Sequence, residues 1–170
     1  MSELSGHKRL KNMAANDKVS LQDILNVALE FEQTARDFYT ALIPKVSKKI
    51  RYLVEELAEE EQQHYDLFSE MAARKDLRKQ LKVEVKRPTH DHKFSDCIHA
   101  PDLGENPDDQ TVLQYALMRE HAAMEQYRSL AQGTKPSAIH DLFLFLANEE
   151  TKHKNELEKL YYEIVHSGGV

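Results

Sequence analysis

Two stretches of the chain repeat one another: Leu57-Ala58-Glu59-Glu60-Glu61-Gln62-Gln63-His64 and Leu146-Ala147-Asn148-Glu149-Glu150-Thr151-Lys152-His153. In each, a Glu follows four residues after the opening Leu and a His seven after it. On a helix, Glu-x-x-His sets a carboxylate and an imidazole one turn apart on the same face. Two copies turned toward each other aim two carboxylates and two imidazoles into one space, which is the donor set of a metal site. The repeat extends further: Ala28-Leu29-Glu30-Phe31-Glu32-Gln33-Thr34-Ala35 parallels Ala116-Leu117-Met118-Arg119-Glu120-His121-Ala122-Ala123, and a Tyr stands seven residues after each Glu, Tyr39 and Tyr127. The offset is 120 − 32 = 88 for this pair and 150 − 61 = 89 for the Glu-x-x-His pair. The chain reads as two copies of a helical hairpin, and a pseudo-twofold axis between them sets two half-sites opposite each other.

Apolar residues spaced alternately by three and four predict four helices packed in a bundle. The first carries Leu21, Leu25, Ala28, Glu32, Ala35, Tyr39 and Leu42. Ser20 is its expected N-cap, Asp23 completes a capping box, Val19 staples onto Ile24, and Pro44 ends it. The second, with Ser47 as expected cap, carries Ile50, Leu53, Leu57, Glu61, His64, Phe68 and Met71. The third starts near Asn106-Pro107-Asp108-Asp109, carries Leu113, Ala116, Glu120, Ala123, Tyr127 and Leu130, and stops at Gly133. The fourth begins at Pro136-Ser137 and carries Ile139, Phe143, Leu146, Glu150, His153, Leu157, Leu160 and Ile164. Residues 1–19 read as a loosely ordered leader, 20–166 as the bundle and 167–170 as a frayed tail.

Between helices two and three, the basic stretch Arg74 to Arg87 loses strong periodicity, and Lys86 through Pro107 reads as loop. The connections are thus short, long, short. Short turns make neighbours antiparallel. The long one can span the bundle, about 37 Å for a helix of about 25 residues, and return helix three parallel to helix two. The expected architecture is all-α, a four-helix bundle with one long crossover.

A physical conflict follows from the pattern. Glu32, Glu61, Glu120 and Glu150 fall on the apolar stripes rather than the polar faces. An ionised carboxylate buried without a partner is strongly destabilising, and several together are worse. No Lys or Arg falls on the stripes at that level, so side-chain cations are not expected to offset them. Two divalent cations would, with four positive charges against four negative, and the neutral imidazoles of His64 and His153 add ligands without altering the sum. Di-metal carboxylate bundles as a class use this arrangement: one Glu from each of two helices and Glu-x-x-His from each of the others.

Composition excludes other classes. The net charge of −6 argues against a nucleic-acid partner. No apolar run approaches ~18 residues, so a membrane span is not expected. Met1 to Val19 lacks the apolar core of a signal peptide. Cys97 is the only cysteine, so neither an intrachain disulfide nor a four-cysteine metal site can form. A reduced cytoplasm is the expected location.

Other polar residues carry weaker signals. A third Glu-x-x-His, Glu163 to His166, lies one residue off the stripe without a repeat partner, and is not expected to bind metal. His90, His92, Asp96, Cys97 and His99 cluster in the crossover, but their spacing matches no zinc pattern. His121 and His140 fall one step off the seam and read as surface or edge residues. Glu55, Glu56, Glu59 and Glu60 read as a solvated face. Tyr39 and Tyr127 share the stripes of the glutamates, where a hydroxyl could bond a ligand carboxylate or supply an electron; each is equally readable as a buried aromatic with a satisfied hydroxyl. The basic stretch from Arg74 reads as a solvated segment or as a dock for an acidic redox partner.

The combined motifs resemble the ferritin-like superfamily, most closely its rubrerythrin-like branch. Glu32-x-x-Ala35-Arg36-x-x-Tyr39 is similar to that family's first-helix motif, and Glu61-x-x-His64 and Glu150-x-x-His153 to its second and fourth helices. The resemblance covers about residues 20 to 166. It implies two iron ions, with manganese or zinc as possible occupants. Glu32 and Glu120 would be terminal ligands, Glu61 and Glu150 would bridge, and His64 and His153 would each add a nitrogen. It further implies reduction of dioxygen or hydrogen peroxide, as in a peroxidase or ferroxidase, in a homodimer. The alternative is an iron-handling or sensing protein without turnover.

Two features depart from the family pattern. Rubrerythrins carry a further ligand Glu three residues after the third-helix Glu, where this chain has Ala123. A more symmetric, bacterioferritin-like centre is therefore expected. Rubrerythrins also carry a four-cysteine rubredoxin-like domain, which a single cysteine cannot build, so an external electron donor protein is expected. The fifth short helix of cage-forming ferritins is not evident, and a storage shell is not expected.

Overall fold

Ser20 begins the bundle as its sequence predicts. Its hydroxyl accepts a hydrogen bond from the Asp23 N–H at 3.1 Å, satisfying one of the free donors of the first turn. The return bond of the capping box is altered: the Ser20 hydroxyl itself donates to the Asp23 carboxylate at 2.7 Å. The computed structural model describes residues 18–86 and 102–167. Within them run β1 (Lys18–Ser20), α1 (Leu21–Leu42), α2 (Arg51–Ala73), a 3-10 turn (Lys75–Leu77), α3 (Arg78–Leu81), β2 (Glu84–Lys86), α4 (Asp109–Gly133) and α5 (Ala138–Ser167). The four expected long helices are α1, α2, α4 and α5. Asp108 caps α4 through a bond from Thr111 N–H, and the Ser137 hydroxyl accepts from His140 N–H at the start of α5.

The interior forms two apolar layers, and their boundary gives the helix directions. One layer takes Leu21 to Phe31 of α1, Phe68 of α2, Ala122 to Ala131 of α4 and Ile139 to Ala147 of α5. The other takes Ala35 to Leu42 of α1, Leu53 to Ala58 of α2, Val112 to Ala116 of α4 and Leu157 of α5. On all four helices the change of layer falls at the stripe glutamate. Helices α1 and α5 therefore cross the layers in one sense and α2 and α4 in the other. Helix three does return parallel to helix two, as the long crossover predicts. The backbones approach most closely within each hairpin, α1 with α2 and α4 with α5.

Four local expectations are corrected. The leader is not uniformly loose, because Lys18–Ser20 pairs antiparallel with Glu84–Lys86, with Val19 opposite Val85. The basic segment joins the core where no periodicity marked it: Leu77, Leu81 and Val85 are buried, while Arg74, Lys75, Arg78, Lys79 and Lys82 are exposed as expected. Ser47 caps the turn before α2 rather than the helix, accepting from Lys49 N–H, and donates to Asp109 at 2.6 Å across to the α4 end. Helix α5 continues to Ser167, one residue into the expected tail.

Phe68 is fully buried, with ring centroids 5.6 Å from Tyr127 and 6.5 Å from Phe143. It ties α2 to the second hairpin. Truncation there leaves a cavity as well as losing transfer energy, so Phe68→Ala is expected to lower unfolding free energy by about 3–5 kcal/mol in a denaturant titration of the metal-free protein. A loss under about 1 kcal/mol would show that the hairpins do not depend on this contact.

Candidate metal centre

Between the two apolar layers lies one polar layer. Glu32 on α1, Glu61 and His64 on α2, Glu120 on α4, and Glu150 and His153 on α5 are all buried. Helical spacing puts each on its inward stripe, and the antiparallel hairpins bring all six to one level. Ligand atoms of Glu32, Glu61, His64 and Glu150 lie within 4.8 Å of one another, as do those of Glu120, Glu150 and His153. Glu150 belongs to both groups, while Glu61 belongs to the first. His64 Nδ1 stands 3.2 Å from Glu150, 3.5 Å from Glu61 and 3.7 Å from Glu32. His153 Nδ1 stands 3.3 Å from Glu150 and 3.5 Å from Glu120. The two imidazoles are nearly parallel, with centroids 6.1 Å apart. Both thus direct Nδ1 inward.

The tyrosines cross between hairpins. Tyr39 of α1 donates to Glu120 Oε1 of α4 at 2.9 Å, and Tyr127 of α4 donates to Glu32 Oε1 of α1. Each therefore serves the glutamate of the other repeat, not the one on its own stripe. Each occupies one carboxylate oxygen and leaves Oε2 facing the centre. Glu32 Oε2, Glu61 Oε2, Glu120 Oε2, both Glu150 oxygens, His64 Nδ1 and His153 Nδ1 are buried without a hydrogen-bond partner. Buried polar atoms are nearly always hydrogen-bonded, so seven such atoms gathered in one layer fit bound metal. Oxygen and imidazole donors of this kind suit iron, manganese and zinc.

Without a cation, protons hold the layer together. Burial pushes the Glu150 carboxyl up to about 8, with the adjoining Glu120 charge adding to it. Burial, then Glu32 and Glu120, raise Glu61 in the same way. Burial also opposes ionisation of Glu120, but Glu150, His153 and Tyr39 outweigh it and hold its carboxyl at about 2. Burial disfavours both imidazolium ions, yet the carboxylates prevail. Glu150, Glu32 and Glu61 raise His64, and Glu120, Glu150 and Glu60 raise His153. Burial and the facing carboxylates push Tyr39 and Tyr127 well up, so both stay neutral donors.

Two neighbours of the centre were not expected from the stripes. Arg119 lies one residue off the seam yet is buried, which corrects the expectation of no cation at this level. Its Nη2 donates to Phe31 O at 3.2 Å and its guanidinium lies 4.5 Å over the Phe31 ring. Glu60, read as part of a solvated face, is half-buried and its Oε2 stands 2.5 Å from His153 Nε2. Its sequence signal was the place immediately before the ligand-type Glu61. The other polar residues lie elsewhere. His121 pairs with Glu125, His140 Nδ1 bonds the Ala131 and Thr134 carbonyls at the end of α4, and Glu163 and His166 are exposed. His90, His92, Asp96, Cys97 and His99 lie outside the described residues.

The sign of the pH dependence follows from these shifts. Glu150 is raised when folded, so its contribution to stability is full below the ordinary carboxylate range and is lost as pH rises through about 8. Glu61 acts in the same direction, whereas Glu120, lowered to about 2, contributes no slope near neutrality. The melting temperature of metal-free protein is expected to fall between about pH 5 and pH 8, and Glu150→Gln to flatten that fall. An unchanged slope in the variant would contradict a protonated Glu150.

Comparisons with known proteins show the family and the fold. The rubrerythrin family profile matches residues 23–99 and 111–167. No curated protein matches the chain. Two solved structures are similar in fold. One, a protein of Thermotoga maritima described as ferritin-like and di-iron-carboxylate, has TM-score 0.68 and 22% identity over 87% of this chain and 98% of that one. The other, a dodecameric thioferritin described as the bacterioferritin-related protein of Bacteroides fragilis, has TM-score 0.64 and 23% identity over 87% of this chain and 88% of that one. No described helix is long and apolar enough to cross a membrane. With the family profile spanning all four long helices, and the ferritin-like fold shared with both structures, the chain belongs to the rubrerythrin family.

Proposed function

We propose that the chain is a di-iron carboxylate oxidoreductase that reduces hydrogen peroxide or dioxygen, with electrons from ferrous iron or from a separate donor protein. The observation that carries this reading is the set of seven buried oxygen and nitrogen atoms, each without a hydrogen-bond partner, gathered in two adjoining ligand groups that share Glu150. Glu32, Glu61 and His64 would hold one ion, Glu120 and His153 the other, and Glu150, common to both groups, would be shared. Glu61 is the second bridge in the family pattern, and it lies close enough to Glu120 for that charge to raise its pKa. A ferrous pair held by these residues would supply two electrons to one oxidant, so no one-electron oxygen radical need be released.

The protein's own groups prepare that chemistry. Tyr39 and Tyr127 fix the orientation of Glu120 and Glu32 through one oxygen each. Glu61, Glu150 and the two imidazoles hold protons that loading must displace, so affinity rises with pH and binding releases acid. The apolar layers above and below exclude bulk water from the carboxylates. A lone Cys97 and ferrous chemistry suit a reducing cytoplasm. Resemblance favours a homodimer, while the B. fragilis protein is a dodecamer, so larger assemblies are compatible with this fold.

Two measurements test the reading. Elemental analysis after anaerobic iron loading is expected to give about two ions per chain, the count of the di-metal class, and Glu150→Ala or His153→Ala to lower it. Unchanged stoichiometry would remove these residues from the site. Rapid mixing of the ferrous protein with peroxide is expected to oxidise the iron faster than free ferrous ion reacts. Equal rates would favour an iron-handling or sensing role without turnover.

A further inference from the structure

The two half-sites are related by the repeat but are not equally supported. Glu60 and Glu149 are equivalent positions, 149 − 60 = 89, each immediately before a site glutamate. Glu60, from the first hairpin, reaches His153 of the second and meets its Nε2 at 2.5 Å. The mirror contact would run from Glu149 to His64. Glu149 instead meets Lys152 Nζ at 2.5 Å, although it lies near enough for the His64 charge to act on it. Every ion pair of His64 among the described residues runs through Nδ1. The repeats differ at the adjoining position: Lys152, which pairs with Glu149, stands where the other repeat has Gln63, 152 − 63 = 89, and Gln63 has no charge with which to hold Glu60.

A carboxylate on the outer nitrogen of an imidazole fixes the ring and its tautomer and makes the inner nitrogen a better donor, and loss of such a partner lowers metal affinity about 10- to 100-fold. We infer that Glu60 is a positioning residue for His153, and that Lys152 withholds the same support from His64. The first divalent ion then binds on the Glu120–Glu150–His153 side and the second, more weakly, on the Glu32–Glu61–His64 side. This inference rests on the two-ion reading above.

Titration of the full-length metal-free protein with Co2+, followed by calorimetry and visible absorption, tests it. Wild type is expected to take up two ions in separate steps. Glu60→Gln, a change at a half-buried position, is expected to weaken the tighter step by about 10- to 100-fold. Lys152→Gln, which installs the residue of the other repeat, is expected to free Glu149 for His64 and tighten the weaker step more than the tighter one. Equal steps in wild type, an unaltered tighter step in Glu60→Gln, or no response to Lys152→Gln would overturn the inference. So would Glu60→Gln weakening both steps equally with a lowered melting temperature, the signature of a merely structural role. If wild type bound no Co2+ at all, the two-ion reading itself would fail, so the two failures are distinguishable.

Discussion

Four glutamates held at one level inside a helical bundle are the constraint on which the rest of this structure depends. A carboxylate transferred out of water is costly unless its charge is cancelled or its proton retained. The chain surrounds that layer with leucine, phenylalanine and alanine on both sides, so water cannot perform the cancellation. What remains is a choice between protons and cations. The raised Glu61 and Glu150 carboxyls and the raised imidazoles describe the proton-holding state, and the unpartnered atoms of the same groups describe what a cation pair would take up.

The pseudo-twofold explains why the layer closes on itself, and its breaches explain its asymmetry. Tyr39 and Tyr127 exchange hydrogen bonds between hairpins, so each repeat orients the other's glutamate. Phe31 and Arg119 are equivalent positions, 119 − 31 = 88, and the guanidinium lies on its counterpart's ring. A buried guanidinium beside the carboxylate layer supplies positive charge that does not depend on metal.

The bundle was legible in the sequence because its signals are periodic. Stripes spaced by three and four marked α1, α2, α4 and α5, and the long gap between Met71 and Leu113 implied the crossover that makes α2 and α4 parallel. The polar layer was legible for a different reason: charged residues at core positions break the pattern that locates them. Features governed by contacts between repeats were not legible. Arg119 sits one residue off the stripe, where periodicity assigns an edge, and its burial depends on contacts across the hairpins, the facing Phe31 ring and carbonyl among them. Glu60 looks like one of several solvated acids until His153 is brought across from the other hairpin. The pairing of Lys18–Ser20 with Glu84–Lys86 joins segments too short for alternation to register.

The central claim is that these six side chains exist to hold two cations. Its most direct test is anomalous X-ray diffraction from crystals of the iron-loaded protein, recorded at the iron absorption edge. The expected result is two peaks within the polar layer, one bounded by Glu32, Glu61 and His64, the other by Glu120 and His153, with Glu150 touching both. A loaded protein with its peaks elsewhere, or an empty layer in which the carboxyls bond only one another and Arg119, would contradict it.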